Sequence, residues 1–326
     1  MENNKYSTLQ ELIENKIKDI NFKNEPHLLY EPARYSMSNG GKRIRPLLTL
    51  IANDLFNGKV EDAIDVAIGI EIFHNFTLVH DDIMDSAPMR RGRPTVYKKW
   101  NTNIALLSGD VMFGKAYEYI SKVNSSKLVN VLNSFTQGAI KVCEGQQYDM
   151  DFESTTFVSI DEYKKMISLK TGALIATALQ IGCIIGSSSI EDSINIYKFG
   201  ENIGIAFQLQ DDLLDTYSNP DKFGKITGGD IISKKKTFLY SKSIELADEN
   251  MKKQIVNMYN DDTINNSDKV KNIIKKYNEL NIKSITEEEI KKYYEEGLNY
   301  LKKLKVEYNK RKALEEYVEN LIVREI

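Results

Sequence analysis

The chain has 326 residues, 41% of them hydrophobic, which is ample for a sizeable core in one large domain or two small ones. A formal net charge of -3 gives no global field for nucleic acid, so basic side chains that bind anions must act locally. Only 6 prolines and 18 glycines interrupt it, and apolar residues recur at helical rather than strand spacing, which predicts an all-α architecture.

Helices are expected over residues 6–20, 27–38, 44–56, 60–85, 101–122, 126–151, 160–186, 190–217 and 234–247, with several more towards Ile326. The first sets Leu9, Leu12, Ile13, Ile17 and Ile20 among Glu and Lys, the rhythm of a packed helix rather than of a signal peptide. Between helices lie turn-rich stretches, Ser38 to Gly41, Ala87 to Pro94 and Ser218 to Gly229, each also rich in Lys, Arg or Asp. Cys143 and Cys183 fall inside apolar helical stretches and read as buried free thiols of a reducing compartment. The longest apolar run, Ala173 to Gly186, is broken by Thr177 and Gln180 and is too short for a bilayer. From Asp248 onward Lys, Glu and Asn dominate; peripheral helices are expected there, with a solvated loop at Asn260 to Asp268 and no chemistry. No linker breaks the composition, so residues 1–326 are expected to form a single domain, located in the cytoplasm.

Two acidic clusters of one form, Asp81-Asp82-Ile83-Met84-Asp85 and Asp211-Asp212-Leu213-Leu214-Asp215, each follow a strongly apolar helical stretch. On a helix Asp81 and Asp85 are i and i+4 and share a face, as do Asp211 and Asp215, and like charges at that spacing repel. Over apolar surface such pairs call for a cation of high charge density. Hard oxygen ligands suit Mg2+, which keeps several waters and completes its shell with substrate phosphates. The expectation is a Mg2+-diphosphate site walled by two helices.

Donors for phosphate lie close by in sequence. Gly40-Gly41-Lys42-Arg43-Ile44-Arg45-Pro46 feeds a helix and puts Lys42 and Arg45 at its start. His74 lies two helical turns before Asp81, on the same face. Arg90 and Arg91 offer planar forks to phosphate oxygens. Lys170, Thr171, Gln208, Lys225 and Lys235 are further donors, each weak alone because a solvated basic run reads the same way.

In order, GGKRIRP, EIFHNFTLVHDDIMD, RRGRPTV, LSGD, EGQQYDMD, LKTG, FQLQDDLLD, FGK, GGD and KKT resemble the trans-isoprenyl diphosphate synthase (polyprenyl synthetase) family over about residues 28–240. The resemblance implies an all-α isoprenoid-synthase helical bundle around a deep central cavity, normally a homodimer. It implies Mg2+ ions, three when substrate is bound, bridging both acidic motifs to an allylic diphosphate beside isopentenyl diphosphate. Carried over position by position, it makes Asp81, Asp85 and Asp211 metal ligands, with Asp82, Asp212 and Asp215 as catalytic support. It gives Lys42, Arg45, His74 and Arg91 to isopentenyl diphosphate. Arg90, Lys170, Thr171, Gln208, Lys225 and Lys235 go to the allylic diphosphate, with Lys170 and Lys225 also counted as catalytic.

The chemistry so implied is a head-to-tail condensation giving a short-chain isoprenyl diphosphate of fifteen to twenty carbons, with the departed diphosphate as the expected base. Phe76 stands about 7 Å before Asp81 along the helix axis and Phe73 almost a turn below; both are expected to floor the cavity and limit chain length. DDIMD lacks the two extra residues of bacterial farnesyl-type enzymes, a form also seen in geranylgeranyl and longer-chain enzymes. A longer-chain polyprenyl diphosphate synthase is therefore one alternative. A non-catalytic partner subunit of a heteromeric prenyltransferase is another, though such a chain is expected to have lost carboxylates that are intact here. A terpene cyclase would carry an Asn/Ser/Glu-type second motif in place of DDLLD.

Overall fold

The computed structural model describes residues 2–217 and 228–323. In chain order its leading elements are α1 (Glu2–Lys18), α2 (His27–Met37), α3 (Ile44–Leu55), α4 (Val60–Met84), β1 (Met89–Arg90), β2 (Arg93–Pro94) and α5 (Val96–Lys99). There follow α6 (Thr102–Ile120), α7 (Ser125–Glu153), α8 (Ile160–Ile167), a π turn (Ser168–Gly172), α9 (Ala173–Ile185) and α10 (Ile190–Tyr217). Further helices complete the chain at Gly229–Ile232, Phe238–Leu246, Glu249–Asn260, Asn266–Glu279, Ile282–Leu301 and Tyr308–Val323. Apart from the β1–β2 hairpin, the regular elements among the described residues are helical, so the all-α reading holds.

Two compact units divide the chain. One comprises Met1–Gln137, Thr177–Tyr197 and Lys305–Lys310; the other comprises Gly138–Ala176, Lys198–Leu304 and Arg311–Ile326.

In the first unit α4 is the central helix. Val66 to Phe73 are buried without a break, and a helix apolar on every side must be enclosed by others. Gly69 lets α6 cross closely, because a Cβ there would fall 2.7 Å from Ile120 Cγ1 and 2.9 Å from the Ala116 carbonyl. Gly182 does the same for α9 on α3, where a Cβ would lie 2.2 Å from the Thr49 oxygen. The Lys305 amide donates to Asp192 Oδ1 (3.0 Å) and the Lys310 ammonium to the Asp54 carbonyl (2.6 Å), tying a late segment of the chain to this unit.

In the second unit the helix starts are set by side-chain caps: Ser159 and Glu162 form a reciprocal capping box, and Asp248 and Asn265 each accept from the first turn they precede. Gly145 brings α7 against the π turn, where a Cβ would meet the Lys170 nitrogen at 2.3 Å. Gly204 brings α10 against the same turn, 2.5 Å from the Gly172 Cα.

Some expectations are corrected. Cys143 is exposed, because it lies on the outer face of α7; Cys183 is buried as expected. Residues 234–237 are not helical: Thr237 caps a helix that begins only at Phe238. The solvated loop after Asn260 closes sooner, because Asn265 caps a helix beginning at Asn266. The apolar run at Ala173 belongs to a continuous helix, Ile160–Ile185, which is long and apolar enough to cross a membrane; 67% of its most apolar window is buried inside the protein, as in a core helix.

Candidate active site

The first acidic cluster lies in the first unit, at the end of α4, with Asp85 as the cap residue. Carboxylates at a helix C-terminus face the negative end of its dipole, which adds to their mutual repulsion. The fold relieves part of this with Arg90. Its Nε donates to Asp82 Oδ1 at 2.7 Å, and its Nη2 lies 3.6 Å from Asp81 Oδ2. The Asp82 side chain is only 5% exposed, and burial pushes its carboxyl up to about 6 against the pull of Arg90. Asp81, at 16%, keeps more of its side chain open.

Arg90 occupies its position because β1 and β2 form a tight hairpin in register Arg90↔Arg93. The two residues between the strands, Arg91 and Gly92, both have positive φ (51° and 74°), as a type I′ turn requires. The turn carries the Arg91 guanidinium onto the loop before α3, where it donates to the Gly40 carbonyl. Gly41 makes room for it: at φ 140° a Cβ would stand 2.7 Å from Arg91 Nη1. The Arg93 guanidinium stacks 4.1 Å from the Tyr35 ring centre, fastening the hairpin to α2. The two basic motifs of the sequence therefore meet in one place, with Lys42 exposed on the loop whose Gly40 and Gly41 receive Arg91.

Arg45, in the first turn of α3, donates from Nη1 to His74 Nε2 on α4 at 3.1 Å. An arginine can only donate, so His74 accepts as the neutral imidazole with its proton on Nδ1. Burial, helped by Arg45, Arg91 and Arg90, holds His74 well below its ordinary 6.5. Burial also lowers Arg45 to about 10, and its Nε–H is enclosed without a partner.

Two residues that sequence reasoning left out hold this group together. Arg43 is buried at the cap of α3 with φ 47°, and reaches Glu71 (2.7 Å), Glu14 (2.8 Å) and the Met37 carbonyl (3.0 Å). Glu71 is its buried counter-charge and also accepts from Asn75 at 3.1 Å. The signal was available: Glu71 precedes His74 by three on α4 and so had to face the same loop.

Below the first cluster Phe73 and Phe76 are part of a larger aromatic stack. The Phe73 ring lies 5.5 Å from Phe76, 6.0 Å from Phe113 and 5.2 Å from Phe135. Phe113 is also 5.3 Å from Phe76 and 5.2 Å from Tyr117, and Tyr117 is 5.1 Å from Phe135. Phe73 and Phe135 are fully buried, whereas Phe76 is half-buried and Phe113 more open.

The second cluster lies in the second unit, on α10. Asp211 is exposed. Asp212 is buried and accepts from the Tyr163 hydroxyl and from Gln208 Nε2 (3.0 Å). Thr171 Oγ1 in turn donates to Gln208 Oε1 at 2.9 Å, so three residues read separately from the sequence form one relay. Burial pushes Asp212 up to about 7 despite these donors. The π turn, a local widening often found at functional sites, carries Lys170, which pairs with Asp149 on α7 at 2.6 Å. Asp215 Oδ2 accepts from the Asp230 amide at 2.8 Å.

Asp230 itself was missed, although the GGD motif contains it. Burial drives its carboxyl well above the usual range, Asp215 and Asp212 add to that, and the nearby Lys235 ammonium opposes it. Lys235 follows the short helix, its amide donating to the Asp230 carbonyl at 2.9 Å. Lys225 lies outside the described residues.

An all-helical chain with two such carboxylate clusters, each ringed by phosphate-type donors, defines a class, and comparison with known proteins agrees: the chain belongs to the polyprenyl synthetase family, whose pattern matches residues 26–277. It is an enzyme, a prenyltransferase of the short-chain isoprenyl diphosphate synthase type. It is 39% identical to a short chain isoprenyl diphosphate synthase of Methanothermobacter thermautotrophicus, over 78% of each chain. A geranylgeranyl diphosphate synthase of Sulfolobus acidocaldarius is 37% identical over 84% of this chain and 83% of its own. The crystal structure of a geranylgeranyl pyrophosphate synthetase from Pyrococcus horikoshii superposes with a TM-score of 0.92 and 35% identity, over 98% of each chain.

Proposed function

We propose that the chain condenses isopentenyl diphosphate head to tail with an allylic diphosphate, releasing diphosphate and an isoprenyl diphosphate of fifteen to twenty carbons. Relatives named for geranylgeranyl products favour the twenty-carbon end. The observation that carries the reading is Arg45, a half-buried cation whose enclosed Nε–H has no acceptor, beside Arg91 and an uncharged His74. A buried unpaired donor on a charged group is costly, and an anion with several acceptor oxygens removes that cost.

On this reading Lys42, Arg45, His74 and Arg91 hold isopentenyl diphosphate. Arg90, Lys170, Thr171, Gln208, Lys225 and Lys235 serve the allylic diphosphate. The donor set of the clusters is carboxylate oxygen. That fits Mg2+, which takes one or two carboxylates and completes its octahedron with water and phosphate. Asp81, Asp85 and Asp211 would hold it, three ions when substrate is bound, and its chemistry is to neutralise charge on the leaving diphosphate. Asp82, Asp212 and Asp215 orient Arg90, Gln208 and the Asp230 amide respectively.

The reaction breaks the bond from the allylic carbon to its diphosphate oxygen. The double bond of isopentenyl diphosphate attacks the resulting cation, and the departed diphosphate takes the proton. The cationic side chains stabilise negative charge as it develops, and the aromatic stack bounds the growing hydrocarbon. A single synthase domain over residues 1–326, a homodimer and a cytoplasmic location complete the reading. Both clusters are intact, which supports a catalytic chain over a non-catalytic partner subunit.

Steady-state kinetics with both substrates test it. Activity should vanish with EDTA and return with Mg2+; Arg45→Ala should chiefly raise KM for isopentenyl diphosphate, and Lys170→Ala should impair the allylic substrate. Equal effects of the two variants on both substrates would remove the division of the cations into two sites.

A further inference from the structure

Lys234, Lys235 and Lys236 lie between the helices Gly229–Ile232 and Phe238–Leu246, and their sequence alone reads as a solvated run. The structure separates them. Lys234, at φ 60°, sends its ammonium to Asp262 (2.7 Å) and to the Asn260 carbonyl (3.4 Å). Lys236 is buried and donates to the Lys234 carbonyl at 3.0 Å, over the rings of Tyr240 and Tyr259 (5.3 and 5.6 Å). Lys235 is the one whose charge acts on Asp230.

What fixes Lys235 is its backbone. On one side its amide donates to the Asp230 carbonyl at 2.9 Å. On the other its carbonyl accepts the Tyr259 hydroxyl at 2.7 Å. With both flanking peptide groups held, the Cα–Cβ direction is set and only side-chain torsions remain. Tyr259 is itself immobilised: it is fully buried, its ring lies 4.4 Å from that of Tyr240, and its own carbonyl accepts the buried Lys269 ammonium at 3.3 Å. Phenylalanine would fill the same space; the buried hydroxyl adds the bond to this carbonyl.

We propose that Tyr259 is a positioning residue for the reaction, holding the Lys235 carbonyl so that the lysine is aimed at the allylic diphosphate, with Lys269 anchoring Tyr259 from behind. This rests on the assignment of Lys235 to that diphosphate. It also gives a function to the region beyond Asp248, where the sequence shows no chemistry.

The test is a double-mutant cycle on the full chain, with steady-state kinetics for both substrates and a melting curve for each variant. Tyr259→Phe keeps the ring and removes the hydroxyl; it should lower kcat/KM for the allylic substrate about three- to tenfold, the worth of one neutral hydrogen bond, and leave KM for isopentenyl diphosphate unchanged. Lys235→Ala should lose more, and Tyr259→Phe should add nothing in its absence. Normal kinetics in Tyr259→Phe beside an impaired Lys235→Ala would overturn the positioning role alone, as would fully additive losses. Equal losses on both substrates with a lowered melting temperature would reduce Tyr259 to a packing residue. Normal kinetics in Lys235→Ala would remove the assignment of Lys235 on which the proposal stands.

Discussion

Asp82 and Asp212 hold the same place in their clusters, and the fold treats them alike. Both are buried, both accept from protein donors, and burial raises both, to about 6 and about 7. Asp81 and Asp211, each one residue earlier, keep more exposure. Two kinds of variant are therefore expected. Asp81→Ala or Asp211→Ala should lower turnover about a thousandfold through lost charge stabilisation, with little change in melting temperature. Asp82→Ala or Asp212→Ala should in addition cost about 1–3 kcal/mol of stability, because Arg90 or Tyr163 loses its acceptor. Melting curves on the four variants decide it, and equal stability in all four would sink the distinction. His74 gives a pH signature. Held below its ordinary 6.5, it binds fewer protons in the folded chain than in the unfolded one. Its contribution is complete above about pH 6.5 and is lost as pH falls below that value. Raised Asp82 and Asp212 work the other way, since the folded chain gains protons first as pH falls. Comparison with His74→Gln isolates the histidine: the wild-type stability curve should drop more steeply between pH 7 and pH 5, and parallel curves would remove this role.

At the scale of elements, the aromatic stack proposed as the floor is built by α4, α6 and α7 together, and this changes what a single truncation is expected to do. Phe76→Ala removes the upper ring of α4 but leaves Phe113, whose ring was 5.3 Å away, over the same space. Products from that variant should lengthen by at most one five-carbon unit. Phe76→Ala with Phe113→Ala should lengthen them further, since each methylene buried favours the longer chain by about 0.8 kcal/mol. Phe73→Ala is a poorer probe: that ring is fully buried against Phe135, and its loss should cost about 3–5 kcal/mol of stability. Mass spectrometry of products reads the outcome. A folded, active double variant with unchanged products would show that these rings do not set chain length.

At the scale of the whole molecule, α6 leaves Leu106 and Leu107 exposed, and Val129 on α7 is exposed as well. Apolar side chains that a single chain leaves in water are suited to a second copy of it. Sedimentation should give twice the 37.3 kDa of one chain, and Leu107→Glu should shift it toward one. A monomer that turns over at the full rate would exclude the homodimer as a requirement.

Helix periodicity made the long helices as far as Tyr217 legible, because apolar stripes act locally; α10 spans the expected 190–217, whereas the β1–β2 hairpin and the short helices α5 and Gly229–Ile232 carry too few residues for a period to show. The carboxylate clusters and the basic loops were legible for the same reason, since short spacings on a helix or turn fix which side chains share a face. Tertiary structure alone decided which charges are committed to the protein. Arg43 and Arg45 are two apart, yet one is used up by Glu14 and Glu71 while the other keeps an unpaired N–H, because the left-handed backbone at Arg43 turns its side chain inward. It also decided that Phe113 and Phe135 stack with Phe73 and that Tyr259 reaches Lys235. Those contacts join segments far apart in the chain, and no local period records them.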